Sequence, residues 1–481
     1  MTDWWTTMGL DEVLGIWARG TGPLYDRLAL AIQRRIESGD VPIGTRLPSE
    51  RALAKSLSVS RTTVINAYAR LDDLGWLERR QGAGTWVARR VASPADPQDP
   101  AVKETRSYAV LRVLRAALEP APGVIDLAAA AFKDADGVVD ALAATTPEEI
   151  VANGELGGYL PLGFPVLRDA VAVHLSGLGI PTLPGQVVVT TGVQQSTALL
   201  FTALARERNL VAIETPTWNG TIDLLRHLGM AALPLPPACG DDFAASAARV
   251  AGTRRPGLIW LTSGFHNPTG LRLTGAHAKA IAELAAEIDV PIVENATLLE
   301  YRLGAQPGHT VAQHAPDGPI ITVGSLSKTL SPGLRLGWIR APRSVVTRIA
   351  RLKSLLDSGA SLIPQLVATR LLARSHEIVG ERRQRLQANC RIMDAGLSAE
   401  LPEWTWRRPD GGMALWAELP RGTGLNFAHV AARYGVEVVP GSVFDLAERP
   451  SPAVRISLTR SAGETIEAVG RLAEAWKHYR P

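Results

Sequence analysis

Two cysteines, Cys239 and Cys390, are all that 481 residues contain, and they stand far apart with no Cys-x-x-Cys pair and no histidine at a ligand spacing. Neither a disulfide framework nor a structural zinc site is supported, and both thiols are expected to be buried. Long apolar runs are missing too. No stretch of roughly 18 consecutive apolar residues occurs, so no segment reads as a bilayer span. The N-terminus, MTDWWTTMGLDEV, carries Asp3, Asp11 and Glu12 and no basic segment ahead of an apolar core. That argues against a secretory signal and gives the expectation of a cytoplasmic protein. Internal repeats are absent, and low complexity is confined to one linker.

An excess of charge is also absent overall, at +4, but what excess there is has an address. Between Thr21 and Arg90 twelve Lys and Arg face seven Asp and Glu, so the remainder of the chain is close to neutral. A small basic unit is joined to a large neutral one. Charge alone makes nucleic acid only a candidate partner, since basic patches are often plain solvated surface. The join is VASPADPQDPAVKETRS, residues 91–107, rich in Pro, Asp and Ala and without an apolar period. The organisation expected is therefore an extension over 1–20, a small domain over 21–90, a linker over 91–107 and a large domain over 108–481. The extension, with Trp4, Trp5 and Trp17, is apolar enough to pack on the small domain.

In the small domain, Leu24, Leu28, Ile32 and Ile36 recur at helical spacing. A second helix is expected from Ser49 to Leu57, and a third from a capping Ser60 through Val64, Tyr68, Leu71 and Leu74 to Gly75. Two short strands then flank RRQGAG. The order is helix, helix-turn-helix, Gly-tipped β-wing. After the linker, β-rich runs alternate with helical stretches: QVVVTTG, NLVAIETP, GLIWLTS, VPIVEN and PIITVGSL each lead a new segment. Such alternation predicts βαβ units and a largely parallel sheet, with a smaller α+β subdomain from about residue 345.

The segment GTRLPSERALAKSLSVSRTTVINAYARLDDLGWLERRQGAGTWV, within residues 21–90, resembles the winged helix-turn-helix of the GntR family of bacterial transcription regulators. The resemblance implies an α+β winged domain whose third helix lies in a major groove of duplex DNA. Ser60, Arg61, Thr62 and Thr63 would then face the duplex, hydroxyls reaching phosphates and arginine able to bond guanine bidentately. Arg46, Ser49 and Arg51 are placed for phosphates, and Gln81 and Gly82 at the wing tip for the minor groove.

From about residue 120 onward the chain resembles fold-type I pyridoxal 5′-phosphate (PLP) enzymes of the aspartate aminotransferase class, with an α/β large part and a small C-terminal α+β subdomain. Joined to the first domain, this is the layout of the MocR subgroup of GntR regulators. In GSLSKTLSPGLRLGW, Lys328 matches the Schiff-base lysine, Ser325 and Arg335 match the residues that hold the cofactor phosphate, and Ser327 is a further candidate for cofactor binding. A lysine amine condenses with an aldehyde only when deprotonated, which a partly dry cleft promotes. A hydroxyl and a forked cation suit a dianion. TTGVQQS puts Gly192, Val193 and Gln194 at a strand-to-helix junction, where free N–H groups favour phosphate. The resemblance further implies Trp218 stacked on the pyridine, Asn267 donating to the 3′ oxygen, and Arg455 binding a substrate or effector carboxylate. Tyr159 would reach the phosphate of a neighbouring subunit, making a homodimer necessary for a complete site. Each of these has a plainer alternative: core for Trp218, turn chemistry before Pro268 for Asn267, a surface strand for Arg455, a loop anchor for Tyr159. Their joint occurrence around Lys328, in the family's order, favours the pocket.

One stretch departs from the pattern. In VPIVENATLLEY the family's strand-end aspartate, which pairs with the pyridine nitrogen, is Asn295, and the tyrosine that bonds the 3′ oxygen is replaced by Thr297. A carboxylate keeps that nitrogen protonated, and a protonated ring withdraws electrons from a substrate carbon. Asparagine is neutral. Glu294 is the one nearby acid, and in a strand its side chain is expected on the opposite face. The reading reached is a PLP-binding transcription regulator that senses PLP or an amine adduct of it, with weak or no transamination. The rival reading is a working aminotransferase with an accessory DNA-binding domain, and a third is a decayed pocket kept as a dimerisation scaffold.

Overall fold

The computed structural model describes residues 14, 17–18, 22–37, 41, 45–73, 76–80, 84–87, 123–132, 134, 137–155 and 157–480. Gln81 and Gly82 of the wing tip, the linker over 91–107, and Trp4 and Trp5 lie outside the described residues. Among those described, no helix is long and apolar enough to cross a membrane.

The first unit is built on helical periodicity. Helix α1 (Leu24–Glu37) buries Leu28, Ile32 and Ile36 from one stripe. Helix α2 (Glu50–Ser56) starts where the Ser49 hydroxyl accepts the Ala52 N–H, and it buries Leu53 and Ala54. Helix α3 (Arg61–Asp73) buries Val64, Ala67, Tyr68 and Leu71, the i, i+3, i+4, i+7 pattern of a single face. A hairpin of β1 (Leu77–Arg80) and β2 (Gly84–Val87) adds Leu77 and Val87, and Leu14, Trp17 and Ala18 of the N-terminal extension complete the same small core.

After β3 (Ile125–Asp126), helices α4 (Val138–Ala143), α5 (Pro147–Gly154) and α6 (Pro165–Gly177) lead into the large sheet. Its strands are β4 (Val187–Thr190), β5 (Leu210–Glu214), β6 (Ala231–Leu235), β7 (Leu258–Thr262), β8 (Ile292–Asn295), β9 (Ile320–Ser325) and β10 (Gly337–Arg340). Their order across the sheet is β4-β10-β9-β8-β7-β5-β6, parallel except for β10, which runs against both its neighbours. Helices α7 (Val193–Leu200), α8 (Asn219–His227), α9 (Phe243–Arg254) and α10 (Gly275–Glu287) connect the strands. Both faces are covered, which is why the strands read as near-continuous apolar runs. The two-residue period sends Ile259, Leu261, Ile292 and Ile320 into one core, and Leu258, Trp260, Val293, Ile321 and Val323 into the other.

A four-residue helix α11 (Leu326–Thr329) follows β9 directly, and α12 (Arg343–Leu356) and α13 (Leu362–Ala373) follow β10. Val346 and Ile349 of α12, and Val367, Ala368 and Leu371 of α13, still pack on the cores of the large sheet. By apolar contact the boundary expected near residue 345 falls later, within α14 (Ser375–Glu400), whose Ile378 still packs on the large sheet while Val379, Leu386 and Cys390 join the small core. The small subdomain joins α14 to β11 (Thr405–Trp406), β12 (Ala414–Glu418), α15 (Gly424–Arg433), β13 (Val436–Glu437), β14 (Val439–Pro440), β15 (Ala453–Ser457) and α16 (Ala462–His478). It also takes in Ile125, Leu127 and Phe132 from the beginning of the large domain, through parallel pairing of β3 with β13. Cys390 is buried in its core, whereas Cys239, expected to be buried, is only half-buried.

Candidate cofactor pocket and DNA-reading surface

Register brings the candidate residues to one edge. Gly337 at the start of β10 pairs with Thr190 at the end of β4 and with Ser325 at the end of β9. Thr262 ends β7 opposite Asn295 at the end of β8, and Asn295 pairs with Val323 two residues before Ser325. The carboxyl ends of the parallel strands thus deliver Gly192, Asn267, Asn295, Ser325 and Lys328 to one side of the sheet, where open α/β sheets bind ligands.

At the end of this edge where the phosphate is expected, Gly192 holds φ +124° ahead of α7, a conformation open to glycine. The first-turn N–H groups of α7, including those of Val193 and Gln194, have no intrahelical acceptor. Arg335, in the left-handed region at φ +51°, lays its guanidinium beside Gly192: a Cβ there would stand 3.9 Å from Nη2. Ser325 and Ser327 are buried at the base, and the Ser327 hydroxyl donates to Leu336 O at 3.4 Å. The Gln194 side chain turns away to donate to Gly220 O at 3.2 Å, and both it and the Trp218 ring close over Gly220.

At the other end two asparagines have their amide orientation fixed by partners that can only donate. Arg455 Nη1 donates to Asn267 Oδ1 at 3.1 Å while Nη2 donates to Ala128 O at 2.6 Å, and the guanidinium lies 5.1 Å over Phe444. Asn295, 7% exposed, accepts at Oδ1 from the Thr297 N–H at 3.1 Å and from the Thr297 hydroxyl at 2.6 Å. Thr297 is accordingly turned onto Asn295. Glu294 points to the opposite face, fully buried, where it accepts from the N–H groups of Val311 and Ala312 and from the Thr322 hydroxyl.

Lys328 stands between the two ends on α11, its amine donating to Ala130 O at 2.6 Å. Its turn is clamped from outside the motif. The Lys328 carbonyl accepts from Tyr301 Oη at 2.7 Å, and Arg382 of α14, 1% exposed, donates to Lys328 O, Thr329 O and Leu330 O at 2.7 to 3.2 Å. Tyr159 is 83% exposed on the loop after α5.

The family model for aminotransferase class I and II matches residues 122–472. The chain belongs to this family. A second model, for bacterial regulatory proteins of the gntR family, matches residues 24–87, so a GntR DNA-binding domain is joined to an aminotransferase-class domain, the organisation of the MocR subgroup. The HTH-type transcriptional regulator YdfD of Bacillus subtilis is 26% identical over 92% of this chain and 94% of its own length. The probable rhizopine catabolism regulatory protein MocR of Rhizobium meliloti is 26% identical over 86% and 87%. Among solved structures, LysN, an α-aminoadipate aminotransferase of Thermus thermophilus complexed with N-(5′-phosphopyridoxyl)-L-leucine, superposes with a TM-score of 0.66 at 26% identity. That match covers 76% of this chain and 94% of LysN.

Two features of the aminotransferase-class domain have no counterpart in the motif reading. Arg382 lies 54 residues from Lys328, and only the RR pair in an otherwise amphipathic helix hinted at it. His266, adjacent to Asn267, is buried with Nδ1 against the Thr269 hydroxyl at 2.7 Å and Nε2 against Pro216 O at 3.0 Å, tying the loop that carries Asn267 to the one that carries Trp218. Burial pushes its imidazole down to about 4. Glu214, 3.6 Å from it, is pushed up to about 7 by the same cause.

On the GntR domain, Arg51, Ser60, Arg61 and Thr62 are exposed at the starts of α2 and α3. The hydroxyls of Ser49 and Ser60 accept N–H groups of Ala52 and Thr63 as helix caps, and Ser60 shares a 2.8 Å hydrogen bond with Thr63. Capping uses acceptor capacity and leaves a hydroxyl hydrogen for a phosphate. Arg46 is exposed with its guanidinium 6.0 Å over the Trp86 ring, against the wing.

Proposed function

We propose that this protein is a PLP-responsive transcription regulator that acts as a homodimer. The observation that carries the reading is the convergence of Lys328, Ser325, the Arg335 guanidinium and the Gly192 helix start at one sheet edge, in a chain that also carries a GntR domain. The donor set fits the cofactor: N–H groups, two hydroxyls and a forked cation for a dianionic phosphate, an indole for a ring face, and an amine in a half-dry cleft. Lys328 would hold the aldehyde, Arg335, Ser325 and Ser327 with the first turn of α7 the phosphate, Trp218 the ring face and Asn267 the 3′ oxygen. PLP supplies an aldehyde that captures amines and a ring that draws electrons from them. Arg455 selects a carboxylate-bearing amine as effector, with the Asn267 bond fixing its fork. Tyr159, exposed as it stands, completes the phosphate site of a second subunit.

Regulation follows if ligand binds the DNA-competent and incompetent states with different affinity. The second reading, a turning-over aminotransferase, draws on Lys328, Asn267 and Arg455, and is opposed by Asn295. A visible absorption titration with PLP tests the proposal, wild type beside Lys328→Ala at a concentration that preserves the dimer. A saturable yellow band in wild type alone supports it. No band in either protein overturns it.

A further inference from the structure

We propose that Asn295 presents an amide N–H, not an acceptor, to the ring nitrogen of the bound cofactor, so that this regulator holds PLP with an unprotonated pyridine. The inference rests on the PLP reading above and follows from what surrounds the amide. A backbone N–H can only donate, so the atom 3.1 Å from Thr297 N must be the amide oxygen, and the Thr297 hydroxyl at 2.6 Å adds a second donor to it. With the oxygen doubly engaged, the Asn295 NH₂ is the group left over. Among the described residues no acceptor takes its hydrogens, although the side chain is 7% exposed. An NH₂ without a protein acceptor, at the strand end where the candidate pocket opens, points to a ligand acceptor.

An unprotonated pyridine nitrogen is such an acceptor, and a protonated one is not. Two N–H groups facing each other would repel, so the amide selects the neutral ring. The neighbouring acid cannot reverse this choice, since Glu294 lies on the opposite face with its carboxylate held by Val311, Ala312 and Thr322. Asn267 repeats the arrangement in the loop after β7: its oxygen is taken by Arg455, which directs its NH₂ to a second acceptor position. Two donors aimed at two ring acceptors hold the cofactor while leaving the ring's pull on electrons weak. This gives a chemical reason for a site that captures an amine and stops there.

The test is ¹⁵N NMR of the full-length protein loaded with ring-¹⁵N-labelled PLP, in wild type, Asn295→Asp and Asn295→Ala. The expected result is the resonance of an unprotonated pyridine in wild type, and of a protonated one in Asn295→Asp, where a carboxylate replaces the amide. Amine half-reaction rates in Asn295→Asp are expected to rise with the protonated fraction of the ring, about tenfold per pKa unit while the ring pKa lies below the working pH. A protonated resonance in wild type overturns the inference and leaves the PLP reading standing. Failure of labelled cofactor to bind wild type removes both.

Discussion

The two ends of the candidate pocket differ in what they offer a ligand. At the end proposed for the phosphate, Gly192, Ser325 and Arg335 present N–H groups, a hydroxyl and a cation, all suited to holding a dianion. At the end proposed for the ring nitrogen, Asn295 with Thr297 forms a closed hydrogen-bond pair that offers the amide NH₂ and no carboxylate. Retention and reactivity of a cofactor are thus separable: charge-assisted bonds at one end fix affinity, while a single ionisable partner at the other fixes the electronics of the ring. A sensor needs the first and is better without the second.

Four tests, using five substitutions, would break or sharpen that contrast. The largest effect is expected from Arg382→Met, which removes the clamp shared by both ends and leaves the buried carbonyls of Lys328, Thr329 and Leu330 short of donors. A stability loss of about 3 kcal/mol is expected in denaturant titration, with weaker PLP capture at temperatures where the protein is still folded. Next, Arg335→Ala is expected to weaken PLP binding by roughly ten- to a hundredfold, the value of a charge-assisted contact of about 1.5–3 kcal/mol. Asn295→Ala is expected to change it less than about tenfold. Equal losses in the two titrations would erase the contrast.

The third test uses pH. In the fold Glu214 titrates near 7, so above the ordinary carboxylate value the native state keeps a proton that the unfolded chain has lost, and stability falls as pH rises toward 7. His266 titrates near 4, so between there and the ordinary imidazole value the unfolded chain holds the extra proton and stability rises with pH. The two slopes oppose each other between about pH 4.5 and 6.5. Glu214→Gln should expose the His266 slope, a rise on the order of 1 kcal/mol per pH unit across that window in urea titrations. A flat profile would show that His266 is not the buried neutral group that ties the Trp218 and Asn267 loops together. The smallest effect is expected outside the pocket. Ser60→Ala removes the cap of α3 and should cost the GntR domain about 1 kcal/mol while leaving the PLP titration unchanged.

How far the chain could be read in advance depended on range. The winged unit and the βαβ sheet follow from local periodicity, and every pocket residue on a strand end was visible as a motif. The face of Glu294 followed from the two-residue strand period alone. The Arg382 clamp, the His266 tie and the subdomain boundary at α14 were not legible, because each depends on contacts between segments far apart in the chain. The orientation of Asn295 falls between: its partner is two residues away, yet only the turn after β8 decides which amide atom meets it.

The most direct test of the central claim is the affinity for a duplex selected by the protein itself from randomised DNA, with and without saturating PLP, in wild type and Lys328→Ala. The account predicts a shift of at least about fivefold in wild type, the low end of ordinary coupling energies, and none in the variant. Identical affinities with and without PLP in a wild type shown to be loaded would contradict it.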